Sequence, residues 1–179
     1  MNIEGPFSIE SIRTVLDFPI PGIQFRDITG LLEDPKAFKE SIIQLTRECM
    51  RFKSNTIIGV ESRGFIFGAP IAFDLDLPLV LARKPGKLPN ATVSKSYTLE
   101  YGEAELHIQE ISPIMGKIVI IDDLIATGGT MMAGMKLLEK LGAEVIEGAA
   151  IVDLPELGGS QKLLAAGLPL FTLVNFEGH

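Results

Sequence analysis

The chain has 179 residues, of which 46% are hydrophobic, and a formal net charge of −7. This length and composition favour a single domain with one core over residues 1–179, and the negative charge argues against non-specific binding to nucleic acid. No apolar run approaches the roughly 18 residues that a membrane span needs, and the N-terminus lacks the pattern of a secretory signal. Because Cys49 is the single cysteine, no internal disulfide is possible, and we expect a cytoplasmic protein.

Apolar strands and amphipathic helices alternate along most of the chain. We expect a short N-terminal helix that Ser8 caps and that ends before Pro19, then a longer helix that begins at an Asp34 cap with Pro35 behind it. Further strands are expected at 56–60, 79–82, 118–121, 145–152 and 170–174, and further helices at 65–74, 130–141 and 160–165. Residues 94–108 interrupt the alternation and predict an antiparallel hairpin.

This order of elements predicts an α/β fold. Parallel strands joined by helices form an open sheet with helices on both faces, because each connection crosses over in the same right-handed sense. Ligands of such folds bind at the carboxyl ends of the strands. We therefore look for the site in the loops that follow the strands.

The loop after the strand at 118–121 carries the strongest functional signal. Asp122 and Asp123 end the strand, and the small residues Ala126–Thr130 lead into a helix. Such a loop directs backbone N–H groups towards one point in front of the positive end of the helix dipole, which suits a phosphate. Carboxylates beside it would repel phosphate but accept hydrogen bonds from hydroxyl groups. The combination predicts a site for a ribose 5-phosphate.

A purely structural interpretation of this loop remains open. Its glycines could serve only to turn the chain, as they do in most strand-to-helix connections. The loop lacks the lysine of a Walker A motif, and the G-x-G-x-x-G pattern of dinucleotide-binding folds is absent. The adjacent carboxylates favour a ligand site, since two like charges repel unless something binds them.

Two further segments could bind a second anion. Ser62, Arg63 and Gly64 directly follow a buried strand and combine backbone N–H groups with a guanidinium. Residues 83–87 are basic but contain Pro85 and Gly86, so we expect a surface loop. Taken alone, that basic cluster is equally well explained as a solvated charged loop.

Together the motifs resemble those of the type I phosphoribosyltransferases. Residues 118–130 resemble the family's binding motif for phosphoribosyl pyrophosphate (PRPP), and residues 61–68 resemble its pyrophosphate loop. Residues 18–29 resemble the F-P-x-P-G-x-x-F-R-D-I signature of the adenine phosphoribosyltransferases. Residues 83–89, followed by 97–102, resemble their mobile catalytic loop. The motifs occur in the family's order and spacing.

The resemblance implies transfer of the 5-phosphoribosyl group from PRPP to N9 of adenine, which gives AMP and pyrophosphate in purine salvage. It implies that residues 1–33 form a hood over the purine and that residues 83–108 form a flexible catalytic loop and hairpin. Glu100 is the implied catalytic residue, which handles the proton on the imidazole ring of adenine. The implied substrate-binding residues are Gln24, Phe25, Arg26, Arg63, Arg83, Lys84, Lys87, Tyr101, Asp122, Asp123, Ala126, Thr127, Gly128, Gly129 and Thr130.

Two positions bear on which base the site would take. Hypoxanthine–guanine relatives typically carry an aspartate where this chain has Ala126, so proton handling would pass to Glu100. The resemblance assigns adenine recognition to the main chain around Gln24–Arg26, with Phe25 against the ring. Thr98 departs from the aspartate that is common in the family's Y-D-L-E-Y-G sequence, while Glu100 and Tyr101 are retained.

The resemblance also implies a cofactor and an assembly. Mg²⁺ would be bound through PRPP, with no direct protein ligand and a water-mediated link to Asp122 and Asp123. His107 and His179 are too far apart in sequence to indicate a metal site. A homodimer is expected, with small-molecule substrates and neither nucleic acid nor a membrane as partner.

Two alternatives remain open at this point. The chain could transfer phosphoribosyl to another base, such as xanthine or a pyrimidine; the residue 18–29 signature and Ala126 argue against that. It could instead be a regulator that uses the same fold to sense nucleotides. Such a protein usually carries a DNA-binding segment, and residues 1–17 are neither basic nor long enough for two helices.

Overall fold

The structure is a computed structural model that describes residues 9–99, 102–110, 112–114 and 116–178. The strands are β1 (Arg13–Leu16), β2 (Gln24–Asp27), β3 (Thr56–Val60), β4 (Leu79–Ala82), β5 (Thr92–Leu99), β6 (Gly102–Gln109), β7 (Lys117–Ile121), β8 (Leu124–Ile125), β9 (Glu144–Asp153) and β10 (Leu170–Asn175). The helices are α1 (Thr29–Glu33), α2 (Pro35–Arg51), α3 (Gly64–Asp74), α4 (Gly129–Lys140) and α5 (Gly159–Ala165).

A parallel sheet in the order β10-β9-β7-β3-β4 forms the centre of the fold. Short β8 also pairs with β9 in parallel, beyond the end of β7. Two antiparallel hairpins, β1–β2 and β5–β6, lie outside this sheet. The expected α/β fold with a parallel sheet is confirmed.

Alternation along β7 explains the two layers of helices. Val119 and Ile121 pack in the cluster that contains residues of α2 and α3, while Ile118 and Ile120 pack with residues of α4. All four are fully buried, as expected of a strand covered on both faces. Among the described residues, no helix is both long enough and apolar enough to cross a membrane.

The start of α2 follows the sequence pattern closely. The Asp34 carboxylate accepts hydrogen bonds from the N–H groups of Lys36 (2.9 Å) and Ala37 (3.2 Å), and Pro35 occupies the first helical position. A cap of this kind stabilises a helix by about 1 kcal/mol. Cys49 is buried on the apolar face of this helix, and burial raises the pKa of its thiol to about 12.

The prediction of a helix near the N-terminus is wrong. Residues Ile9–Ser11 form a single 3₁₀ turn, and β1 follows, paired with β2; Ser8 lies outside the described residues. All four residues of β1 are exposed, so the strand has no buried face to produce a periodic apolar pattern. Its conformation depends on pairing with β2, which a local sequence pattern does not reveal.

The hairpin that was expected at 94–108 is present as β5 and β6. Leu106 and Ile108 are buried beside residues of α4. Two main-chain hydrogen bonds between Arg83 and His107, of 2.9 and 2.7 Å, connect the hairpin to the end of β4. The hairpin is therefore attached to the sheet at its base.

Glu147 is an acidic residue in the core, 2% exposed, on β9. Burial is the main reason that its pKa is raised to about 8 from a usual value of 4.5. The charge of Glu48 and a hydrogen bond with Glu48 raise the pKa further. The folded protein therefore binds a proton that the unfolded chain has released between these two values. The contribution of Glu147 to stability is therefore greatest at acidic pH and falls as the pH rises towards about 8.

We predict that Glu147→Gln removes most of this pH dependence. Glutamine has nearly the same shape and no charge, so the variant should be more stable than the parent protein above about pH 8 and differ little near pH 5. Urea denaturation at both pH values measures the free energies of unfolding. Exposed Glu144 on the same strand provides the control, Glu144→Gln. Parallel pH profiles for the parent protein and Glu147→Gln would contradict the assignment.

Candidate active site

A cleft of about 960 Å³ lies at the carboxyl edge of the parallel sheet. It brings together the loops after β3, β4 and β7. The residues that line it are Glu61, Ser62, Arg63, Lys84, Pro85, Glu105, Asp122, Asp123, Leu124, Ile125, Ala126, Thr127, Gly128, Gly129, Thr130 and Met131. The predicted phosphate loop, acidic pair and pyrophosphate loop thus share one cavity.

The phosphate loop ends where α4 begins. Gly128 is the N-cap residue, with a left-handed φ of +75°, and the helix starts at Gly129. Glycine adopts this conformation without strain. The N–H groups of a first helical turn have no partner within the helix, and the helix dipole is positive there. The loop can therefore bind an anion.

Helix α5 supports the phosphate loop from behind. The Gly159 N–H donates to Ala126 O (3.1 Å). A Cβ at residue 159 would meet Ala126 O, lie 2.5 Å from Gly128 N and lie 2.7 Å from Thr127 C. Only glycine fits there. Gly159 was not among the predicted site residues, although the pair Gly158-Gly159 at the start of a helix is a visible signal.

The acidic pair occupies the short gap between β7 and β8. The Asp122 N–H donates to Ala149 O (3.0 Å), and Asp123 O accepts from Ile151 N (3.1 Å) and Val152 N (3.0 Å). Pairing with β9 on both sides of the gap fixes the backbone. Both acidic residues are less than a tenth exposed.

The two carboxylates of this pair lie in different electrostatic environments. Burial first, and then the charge of Asp123, raise the pKa of Asp122 well above its usual value. The Asp122 Oδ1 atom accepts from Asp123 N (2.9 Å), and Arg63 Nε lies 2.9 Å from Asp123 Oδ2. Contact with the Arg63 guanidinium offsets part of the negative charge of the pair, which reduces repulsion of a nearby phosphate.

The loop after β3 packs directly against the end of β7. A Cβ at Gly64 would lie 2.5 Å from Ile121 O and 3.1 Å from Asp122 Cα. This contact brings Arg63 to Asp123 and fixes the distance between the two predicted anion-binding loops. Arg63 also reaches β2, since its Cζ lies 5.7 Å from the centre of the Phe25 ring.

The basic loop is attached to the β3 loop by Glu61. Its Oε2 accepts from Lys84 N (2.8 Å) and its Oε1 from Arg83 Nη2 (3.3 Å). Burial alone would raise the pKa of Glu61, but these hydrogen bonds and the nearby charges lower it below its usual value. Arg83 also donates to Lys87 O (2.9 Å). The sequence does not reveal this role of Glu61, because the contact depends on two loops that are distant in the chain.

The predicted site residues divide into three groups by position. Arg63, Lys84, Asp122, Asp123 and the phosphate loop line the cleft, whereas Gln24, Phe25, Arg26, Arg83 and Lys87 do not. Glu100 and Tyr101 lie outside the described residues. The expected substrate contacts of all three groups stay predictions.

Glu105 on β6 also lines the cleft, and our sequence analysis did not identify it. His107 Nε2 lies 3.2 Å from Glu105 Oε2, and His107 Nδ1 lies 2.9 Å from Thr92 Oγ1. Hydrogen bonds with Ser94 and then His107 lower the pKa of Glu105 below its usual value. Alternation along a strand places residues 105 and 107 on one face of the hairpin, but the sequence does not reveal that this face meets the cleft.

Comparison with known proteins gives consistent matches. The family model described as "Phosphoribosyl transferase domain" matches residues 30–162. A curated adenine phosphoribosyltransferase of Methylibium petroleiphilum is 58% identical over 171 residues, which cover 95% of this chain and 87% of that protein. Another, of Acidovorax sp., is 56% identical over 174 residues, which cover 95% and 94%.

Solved structures agree with these sequence matches. The crystal structure of the adenine phosphoribosyltransferase of Thermoanaerobacter pseudethanolicus has a TM-score of 0.87 at 43% identity, covering 93% of this chain and 96% of that one. The enzyme of Saccharomyces cerevisiae, complexed with adenine and an imino-altritol bisphosphate, has a TM-score of 0.84 at 35% identity, covering 92% and 95%.

We predict that Gly159→Ala weakens sugar-phosphate binding. The added methyl group would displace the backbone of Ala126–Gly128, so the affinity for ribose 5-phosphate should fall at least tenfold, or about 1.4 kcal/mol. Isothermal titration calorimetry measures this affinity. Gly134→Ala is the control, because its Cβ would make ordinary contacts at 3.4 Å or more on α4. Equal affinities in the two variants would show that α5 does not support the loop.

Proposed function

Because the chain belongs to the adenine phosphoribosyltransferases of the phosphoribosyl transferase domain family, we infer that it transfers the 5-phosphoribosyl group from PRPP to N9 of adenine. The products are AMP and pyrophosphate, and the enzyme is a pentosyltransferase of purine salvage. The observation that carries this function is the buried acidic pair beside a glycine-rich phosphate loop, with Arg63 bound to Asp123.

PRPP would occupy the cleft across its two anion-binding loops. The N–H groups of Ala126–Thr130 bind the 5-phosphate, and Asp122 and Asp123 accept hydrogen bonds from the ribose hydroxyls. The pyrophosphate lies towards Ser62–Arg63 and Lys84, which supply main-chain N–H groups and positive charge. The spacing of these groups follows from the contact of Gly64 with Ile121 and Asp122.

The reaction breaks the bond between C1 of the ribose and pyrophosphate. Positive charge develops on the sugar ring, and the carboxylate of Asp123 stabilises it. Negative charge develops on the leaving pyrophosphate, where Arg63 and Lys84 oppose it. Closure of the loop at roughly residues 83–101 excludes water, which would otherwise hydrolyse PRPP.

The base would lie against Phe25. Main-chain groups of Gln24–Arg26 match the donor and acceptor atoms on the edge of adenine, so a 6-oxopurine would leave buried polar groups unpaired, at about 1–3 kcal/mol each. Glu100 accepts a hydrogen bond from the imidazole N–H as N9 attacks. Ala126 leaves that role to Glu100, since it has no carboxylate.

The donor set of the cleft suits Mg²⁺ bound mainly by substrate. Among the described residues, no group of three or more histidine, cysteine, aspartate or glutamate side chains could hold a metal ion. Asp122 and Asp123 offer carboxylate oxygens, and Mg²⁺ retains several waters and favours phosphate oxygens. These two residues would hold it through water, and the ion would neutralise charge on the pyrophosphate.

A homodimer and a cytoplasmic location complete the proposal. Ile66, Ala69 and Phe73 share one face of α3 and are exposed, Phe73 at 85%. An apolar stripe of this kind supports contact with a second copy of the chain. Highly charged PRPP does not cross membranes unaided, so the enzyme must work where PRPP is made. A cytoplasmic location is consistent with that requirement.

Pyrophosphate release in the presence of PRPP and Mg²⁺ tests the function. We expect turnover with adenine, yielding AMP, and little with hypoxanthine, guanine, xanthine or uracil. Preference for another base would keep the PRPP site but refute the proposed base site. Binding of PRPP or AMP without any turnover would favour a nucleotide sensor.

The same assay tests the role of Glu100. Glu100→Gln removes the carboxylate but keeps the size of the side chain, so kcat should fall at least tenfold while the Kd for PRPP changes little. Glu103→Gln, in the same hairpin, is the matched control. Full turnover by Glu100→Gln would refute the assignment.

Sedimentation velocity tests the dimer. Phe73→Glu places a charge in the centre of the proposed interface, twice in a symmetric dimer, and should weaken association by about a hundredfold or more. Met50→Glu, at an exposed position of α2, should leave association unchanged. A parent protein that sediments as a monomer at micromolar concentration would exclude the dimer.

A further inference from the structure

We propose that Arg26 is a positioning residue for the base site, because its side chain binds strand β2 to residues 176–178. This proposal rests on the function inferred above and extends it. Arg26 would act on adenine indirectly, by holding the main chain of β2 in place. The segment 176–178, here termed the C-terminal clamp, thereby becomes part of the base site.

The guanidinium of Arg26 joins three segments of the chain. Its Nη2 donates to Glu177 O (2.8 Å), Gly178 O (3.2 Å) and Gln24 Oε1 (3.3 Å), while its Nη1 donates to Thr14 Oγ1. Its Cζ lies 4.6 Å from the centre of the Phe176 ring. The residue is 6% exposed. These contacts connect β1, β2 and the C-terminal clamp.

The C-terminal clamp is in turn attached to the central sheet. The Phe176 N–H donates to Asp153 O (3.0 Å), at the carboxyl end of β9. In the described part of the chain, β2 pairs only with β1, and all four residues of β1 are exposed. The Arg26 side chain therefore supplies a polar connection between the hood and the sheet that carries the phosphate loop.

Alternation along β2 separates this contact from the base. Successive side chains of a strand point to opposite faces, so Gln24 and Arg26 face the clamp while Phe25 faces Arg63. A Cβ at Gly178 would lie 3.2 Å from Gln24 Nε2, which agrees with this arrangement. Loss of the clamp should therefore move the main chain of β2 without removing any group that touches PRPP.

Arginine suits this position for a chemical reason. Its planar fork can donate several hydrogen bonds in fixed directions, whereas lysine concentrates its charge at one atom. Two of its acceptors are the main-chain carbonyls of Glu177 and Gly178, which stabilise part of its buried charge. Deleting those carbonyls would leave that charge poorly compensated.

The test is deletion of residues 177–179 in a protein prepared with a C-terminal amide on Phe176, which removes both main-chain acceptors, adds no carboxylate beside Arg26 and leaves β10 complete. We expect the KM for adenine to rise about tenfold or more, as losing a charge-assisted hydrogen bond would predict, while the KM for PRPP stays within about twofold. Arg26→Lys should produce the same split between the two substrates. Glu177→Ala keeps the main-chain carbonyl and removes only an exposed side chain, so it should behave like the parent protein.

Hydrogen–deuterium exchange gives a readout that does not require the reaction. Amides of residues 24–27 should exchange faster in the deletion variant, while those of β9 stay protected. Unchanged exchange in β2, or an unchanged KM for adenine in an active enzyme, would refute the clamp. A parent protein inactive with adenine but with faster β2 exchange on deletion would refute the proposed reaction and keep the clamp.

Discussion

The cleft depends on backbones that approach one another more closely than a side chain would permit. Gly64 lies against the end of β7, and Gly159 lies against the phosphate loop. In both places a Cβ would overlap main-chain atoms, which cannot rotate away as a side chain can. Close contact fixes the loops after β3 and β7 at one separation, and a ligand with two anionic groups then meets a preformed site.

The charges in this site balance one another before any ligand binds. Asp122 has a raised pKa, Asp123 contacts Arg63, and Glu61 accepts a hydrogen bond from Lys84 N at the start of the basic loop. Each acidic group therefore has a hydrogen-bond or ion-pair partner. This arrangement lets carboxylates that suit ribose hydroxyls lie beside loops that suit phosphates, because their mutual repulsion has been reduced. Acidic side chains thus organise a site for an anionic substrate.

Sequence analysis predicted the parts of the molecule that local patterns determine. Strands β3 and β7 are nearly continuous apolar runs, and the Asp34-Pro35 cap marks the start of α2, so these elements could be placed closely. The phosphate loop was visible for the same reason. Strand β1, the Glu61 contacts and the Arg26 clamp were not, since each depends on residues that meet only in the folded chain. Their side chains carry no periodic signal of their own.

The paired hydrogen bonds between Arg83 and His107 have an evolutionary consequence. They join the two ends of the segment 83–107, which contains the basic loop and most of the β5–β6 hairpin. The ends of this segment therefore keep their positions relative to the sheet whatever lies between them. Length changes in this segment, outside its proposed catalytic and substrate-binding residues, would leave the register of β4 and the packing of Ile108 unchanged. Such positions can therefore vary in length and composition while the central sheet stays constant.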